Sequence, residues 1–125
     1  MNWPVFQRIV ATIYGRADFS PYYGDYEKYS LDDYLNIFKC FFDTYKSATG
    51  QEHPPLRKAR IMEIMERMPY AIYDGEIGGV EICAAAYPDI IAAYFNTPFL
   101  NCDYRINHFM CDTIRILRMR ETGWI

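Results

Sequence analysis

The stretch Ser30–Gly50, SLDDYLNIFKCFFDTYKSATG, decides how the chain folds. Ser30 suits the residue before a first helical turn, because its hydroxyl can accept from an N–H that has no intrahelical partner. Asp32 and Asp33 place negative charge where the helix dipole favours it. Asp33 also stands three residues after Ser30, the spacing of a capping box, although Glu or Gln is the usual occupant. Apolar side chains recur at Leu31, Tyr34, Leu35, Phe38, Phe41, Phe42, Tyr45 and Ala48, which is helical spacing with one broad face. Gly50 stands where a left-handed residue closes a helix. Start, period and stop agree, so a helix is predicted over the whole stretch.

Working outward, the N-terminal side offers a short helix over residues 4–14. Pro4 sits in its first turn, Val5, Phe6, Ile9, Val10 and Ile13 form its stripe, and Gly15 ends it. Between these helices lies ADFSPYYGDYEKY, residues 17–29, where Pro21 and Gly24 argue against a long regular element. On the C-terminal side, Gln51–Pro55 forms a turn, since a residue before proline is pushed out of the α region. A helix over Pro55–Met68 follows, ended by Pro69. Residues 70–82, YAIYDGEIGGVEI, carry the hairpin signal Asp74-Gly75, weakened by Gly78-Gly79. A small hairpin and an irregular loop both stay open here. A helix over Pro88–Phe95, with a start as early as Glu81 and a bend at Pro88, precedes a last helix over Tyr104–Glu121. Asp103 would cap that helix, and Ile106, Phe109, Met110, Ile114 and Leu117 would be its apolar stripe. The expectation is one globular domain, residues 1–125. Its class is mainly α, a compact bundle of four to five helices with at most one small β-hairpin near residues 70–82. The expected core is Phe6, Ile9, Leu35, Phe38, Phe42, Ile61, Met65, Ile91, Phe95, Phe109, Ile114 and Leu117.

Composition narrows the function. With 51% apolar residues in 125, the chain can bury a core without covalent staples. No apolar run nears the roughly 20 residues of a membrane span, and no membrane association is expected. The N-terminal residues lack the pattern of a secretory signal. Four cysteines at 40, 83, 102 and 111 show no paired spacing, which points to reduced thiols and a cytoplasmic protein. A net charge of −3 disfavours a generally basic nucleic-acid surface.

The charge is unevenly laid out. From Ala17 to Asp33 there are five acids against Lys28 alone, interleaved with Phe19, Tyr22, Tyr23, Tyr26 and Tyr29. Tyr is a favoured interface anchor, and carboxylates steer association with basic partners. Asp18, Tyr22, Tyr23, Asp25, Tyr26, Glu27, Asp32 and Asp33 are therefore the candidate partner-binding residues; as a purely structural element they would seal one edge of the core. The first alternative is a DNA-binding accessory or regulatory protein. It would use Arg105, His108, Arg115 and Arg118, set opposite the apolar stripe of the last helix, with Arg120 to one side, to meet phosphates. The second is a small thiol or metal enzyme built on Cys102 with His53 or His108 as base, or on Cys102, His108 and Cys111 as zinc ligands. No CxxC, GxxxxGK[ST], GxSxG or HExxH is present, so no catalytic residue, cofactor or metal is assigned.

Several short strings carry a resemblance: Ser30-Leu31-Asp32-Asp33-Tyr34, His53-Pro54, Met68-Pro69, Tyr87-Pro88, Cys102-Asp103-Tyr104 and Asn107-His108-Phe109. Over residues 30–121 the chain resembles small proteins encoded by phages and mobile elements of Gram-positive and gut bacteria, some of which are anti-CRISPR inhibitors. The resemblance implies a non-enzymatic protein-binding inhibitor, with a basic nucleic-acid-handling effector such as a Cas protein as its partner. It implies no catalytic residues.

Overall fold

A computed structural model describes residues 1–24, 28–72, 78–97 and 102–125. The second helix is α2 (Leu31–Thr49). Its cap is local chemistry carried through: the Ser30 hydroxyl accepts from the Asp33 N–H at 3.1 Å, and the Asp33 carboxylate accepts from the Ser30 N–H at 2.8 Å. Aspartate thus completes the capping box. Gly50 closes the helix at φ +73°, its N–H donating to the Lys46 carbonyl. The buried face carries Tyr34, Ile37, Phe38, Phe41, Phe42 and Tyr45. Ile37 extends the expected stripe, whereas Leu31 and Leu35 lie at its half-buried edge.

Helix α1 (Trp3–Tyr14) is capped by the Asn2 side chain, which accepts from the Val5 N–H at 3.2 Å. Phe6 is driven between Phe38 and Phe42, edge-on to both, at centroid distances of 4.9 and 5.2 Å. Edge-to-face pairs of this kind add to the area they bury. Val5, expected in the apolar stripe, faces outward; Phe6, Val10 and Ile13 point in.

Helix α3 (Lys58–Arg67) begins three residues later than expected, because the chain around Pro54 and Pro55 stays non-helical up to Arg57. Two short strands follow, β1 (Tyr70–Ile72) and β2 (Gly79–Glu81), antiparallel with Tyr70 opposite Glu81, Ala71 opposite Val80 and Ile72 opposite Gly79. The Asp74-Gly75 turn signal itself lies outside the described residues. A 3₁₀ turn (Ala84–Ala86) leads into α4 (Tyr87–Asn96), with Pro88 in the first turn rather than at a bend.

The C-terminal region departs most from the expected helix over 104–121. It forms α5 (Ile106–Phe109) and α6 (Asp112–Glu121), separated at Cys111, whose ψ of 134° breaks the helical path. The break resets the phase. Ile106, Phe109 and Met110 point inward as expected, but in α6 the inward positions are Arg115, Ile116, Arg118 and Met119. Leu117, expected in the core, is 41% exposed, and Ile114 is half-buried. Helix α2 packs against α1, α4 and the turn before α4, while α3 lies on α1 and α6 on α4 and β1. Among the described residues the fold is mainly α: six helices around one core, with a single two-stranded hairpin.

Candidate functional site

The acidic tyrosine-rich segment is divided by the fold. Asp18 is exposed but engaged: Arg16 donates to both of its carboxylate oxygens, at 2.8 and 2.7 Å, and those hydrogen bonds hold the carboxyl below its usual range. Tyr23 turns inward, its hydroxyl 3.1 Å from that of Tyr34, and burial pushes it up. Asp33 is committed to the capping box, and Asp32 is exposed beside it. Asp25, Tyr26 and Glu27 lie outside the described residues.

Tyr22 behaves differently. It is 59% exposed and stands edge-on to Tyr70, 4.6 Å between centroids. Tyr70 and Ile72 share the outer face of the hairpin, while the smaller Ala71 faces the core with Val80. Along β1 the larger Tyr70 and Ile72 thus face outward and the small Ala71 inward. Ile72 is 55% exposed. Gly79 makes room for the Tyr70 ring, since a Cβ there would stand 2.6 Å from it and 2.4 Å from the Ala71 carbonyl oxygen. Two carboxylates border the approach of residues 20–24. Glu66 accepts from the Ser20 N–H at 2.8 Å, and Glu81 packs directly on Gly24. Tyr70, Ile72, Glu66 and Glu81 escaped the sequence reading as contact residues; the pair at i and i+2 around the small Ala71 was the signal for Tyr70 and Ile72, and the two glutamates had none.

The expected basic row of the last helix does not exist as a surface. Arg115 is 0% exposed and Arg118 1% exposed, so neither meets phosphate as the chain stands. The Arg115 guanidinium donates to the Arg67 carbonyl at 2.9 Å, the Tyr87 hydroxyl at 3.1 Å and the Asp112 carboxylate at 2.7 Å. It stands at the C-terminal end of α3, where a cation offsets the helix dipole. Arg67 joins from the other side, donating to the same Asp112 oxygen at 3.0 Å and to the Met110 carbonyl at 3.1 Å. Arg118 is held by Glu121. Arg105 and Arg120 are exposed, and Arg105 lies 3.6 Å from Asp103.

Of the two histidines, His53 is structural. It is buried against the rings of Phe42 and Tyr45, and its Nε2 accepts from the Ile106 N–H at 3.1 Å. Its Nδ1 lies 2.8 Å from the Pro54 carbonyl oxygen, to which it donates. Burial pulls its pKa below the ordinary 6.5. His108 instead meets Cys102: Nδ1 is 3.3 Å from Sγ and 2.7 Å from the Tyr94 hydroxyl. The zinc set Cys102, His108 and Cys111 is not assembled, because Cys111 is exposed with its thiol directed at the Asn107 carbonyl. Among the described residues no group of three or more His, Cys, Asp or Glu is placed to hold a metal ion.

Compared with protein-family models, curated proteins and solved structures, the chain matches none. Among the described residues no helix is long and apolar enough to cross a membrane.

Proposed function

We propose that this chain is a non-enzymatic binding protein that docks a basic, nucleic-acid-handling effector, in the manner of an anti-CRISPR inhibitor of a Cas protein. The observation that carries the reading is the outward face of the hairpin. There the exposed Tyr22 and Ile72 flank the half-buried Tyr70 in an aromatic and aliphatic patch, with Glu66 and Glu81 beside the approaching loop. Exposed large apolar residues gathered in one place mark contact surfaces, and Tyr is a frequent hot spot within them. The acids add steering toward a positive partner. Burial of Arg115 and Arg118 weighs against the alternative of a phosphate-binding last helix.

The test is calorimetric titration of purified basic Cas effectors with the wild-type chain and with Tyr22→Ala and Ile72→Asp variants. The expected result is binding that weakens as salt rises, and a loss of about tenfold or more in affinity for each variant. Binding that neither variant alters would remove the hairpin face from the interaction. Absence of binding to every effector tried, together with unaltered effector cleavage of DNA, would overturn the reading.

A further inference from the structure

Among the described residues, three polar atoms converge on the sulfur of Cys102. The Tyr104 backbone N–H donates to Sγ at 3.2 Å, His108 Nδ1 lies at 3.3 Å and the Tyr94 hydroxyl at 3.5 Å. They come from separate stretches: Tyr94 from α4, His108 from α5, and Cys102 with Tyr104 from the segment between. The Tyr94 ring is fixed by Phe95 and Phe109, each 5.2 Å away, so its hydroxyl is held in place. Burial also pushes that hydroxyl up, which keeps it a hydrogen-bond donor. Cys102 is half-buried.

We propose that Cys102 is a nucleophilic thiol, with His108 as its proton acceptor, that exchanges with low-molecular-weight disulfides to carry a mixed disulfide. His108 Nδ1 takes the thiol proton as Sγ attacks one sulfur of the small disulfide. A new S–S bond forms while the old one breaks, and the departing thiolate takes the proton back from the imidazolium. One disulfide is exchanged for another, so no further oxidant enters. At rest the Tyr94 hydroxyl oxygen lies 2.7 Å from Nδ1 and 3.5 Å from Sγ; its O–H rotates from Nδ1 onto sulfur, joining the Tyr104 N–H, and so frees the Nδ1 lone pair to take the thiol proton. Donors aimed at sulfur suit a reaction in which charge gathers on sulfur, whereas acyl transfer needs them aimed at an oxygen. An adjacent base and a donor-rich setting are what distinguish a reactive cysteine from a packed one. The inference is independent of the hairpin surface.

The fully reduced chain is mixed with hydroxyethyl disulfide, and each cysteine is followed by peptide mass spectrometry. Cys111 is the built-in reference, because it is the more exposed thiol. Cys102 is expected to react about tenfold faster than Cys111 or more, and His108→Gln to slow Cys102 about tenfold with Cys111 unchanged. If Cys111 reacts as fast as Cys102, or if no cysteine is modified, the proposal fails. If a folded His108→Gln variant, checked by circular dichroism, slows neither cysteine, the role of His108 fails. The wild-type ratio decides even where that substitution lowers the melting temperature.

Discussion

Arg115 sits among acceptors drawn from three elements: the last carbonyls of α3, the Tyr87 hydroxyl of α4 and the Asp112 carboxylate of its own helix. Removing one partner of a buried charged cluster strands the others. Arg115→Met is therefore expected to cost about 3–5 kcal/mol, measured by urea denaturation. Arg115→Lys should recover only part of it, because one ammonium cannot reproduce the guanidinium fork. His53 predicts a pH effect of definite sign. Its pKa is depressed by burial in the folded chain, so the unfolded chain takes up a proton first as pH falls. Stability should be fully present above about 6.5 and decline as pH drops below that value toward the folded pKa, as thermal melts at stepped pH would show. His53→Phe, which removes the titrating ring, should flatten that part of the profile. Neither role was legible in the sequence. A charged residue is ordinarily read as exposed, and only the reset helical phase turns Arg115 and Arg118 inward.

At the scale of elements, what could be read was what is local. Helix α2 has its cap, its period and its terminating glycine within its own residues, and all three operate as expected. Ser30→Ala should lower stability by about 1 kcal/mol, seen as a reduced urea midpoint with unchanged slope. The hairpin strands were equally local, flanking a turn signal, though the sequence left a loop open as well. The division of the last helix was not legible, because no proline or glycine marks it. Met110 and Cys111 are unremarkable residues, and the new helix that starts at Asp112 is the one that carries Arg115 to the end of α3.

At the scale of the whole molecule, the candidate sites depend on long-range placement. His108 was legible as a possible base, but Cys102 stands six residues before it, off any shared helical face, and Tyr94 fourteen before it. Their meeting is set by how α4 and α5 pack on α2 through Phe41, Tyr94 and Phe109. The contact surface was partly legible. Tyr22 was named from composition, whereas Tyr70 and Ile72 needed the register that places them outward. Because Tyr22 is mostly exposed, Tyr22→Ala should shift stability by less than about 0.5 kcal/mol, so that any loss of partner binding reports contact rather than unfolding.

The buried guanidinium also has an evolutionary consequence. Arg67, Tyr87, Asp112 and Arg115 belong to one hydrogen-bonded cluster, so selection acts on them as a single character. As descendant sequences diverge, these four positions should be retained together or replaced together by an apolar set. A lineage with methionine at position 115 but aspartate still at 112 should be rare, because that intermediate leaves the carboxylate half-buried with a single guanidinium to answer it.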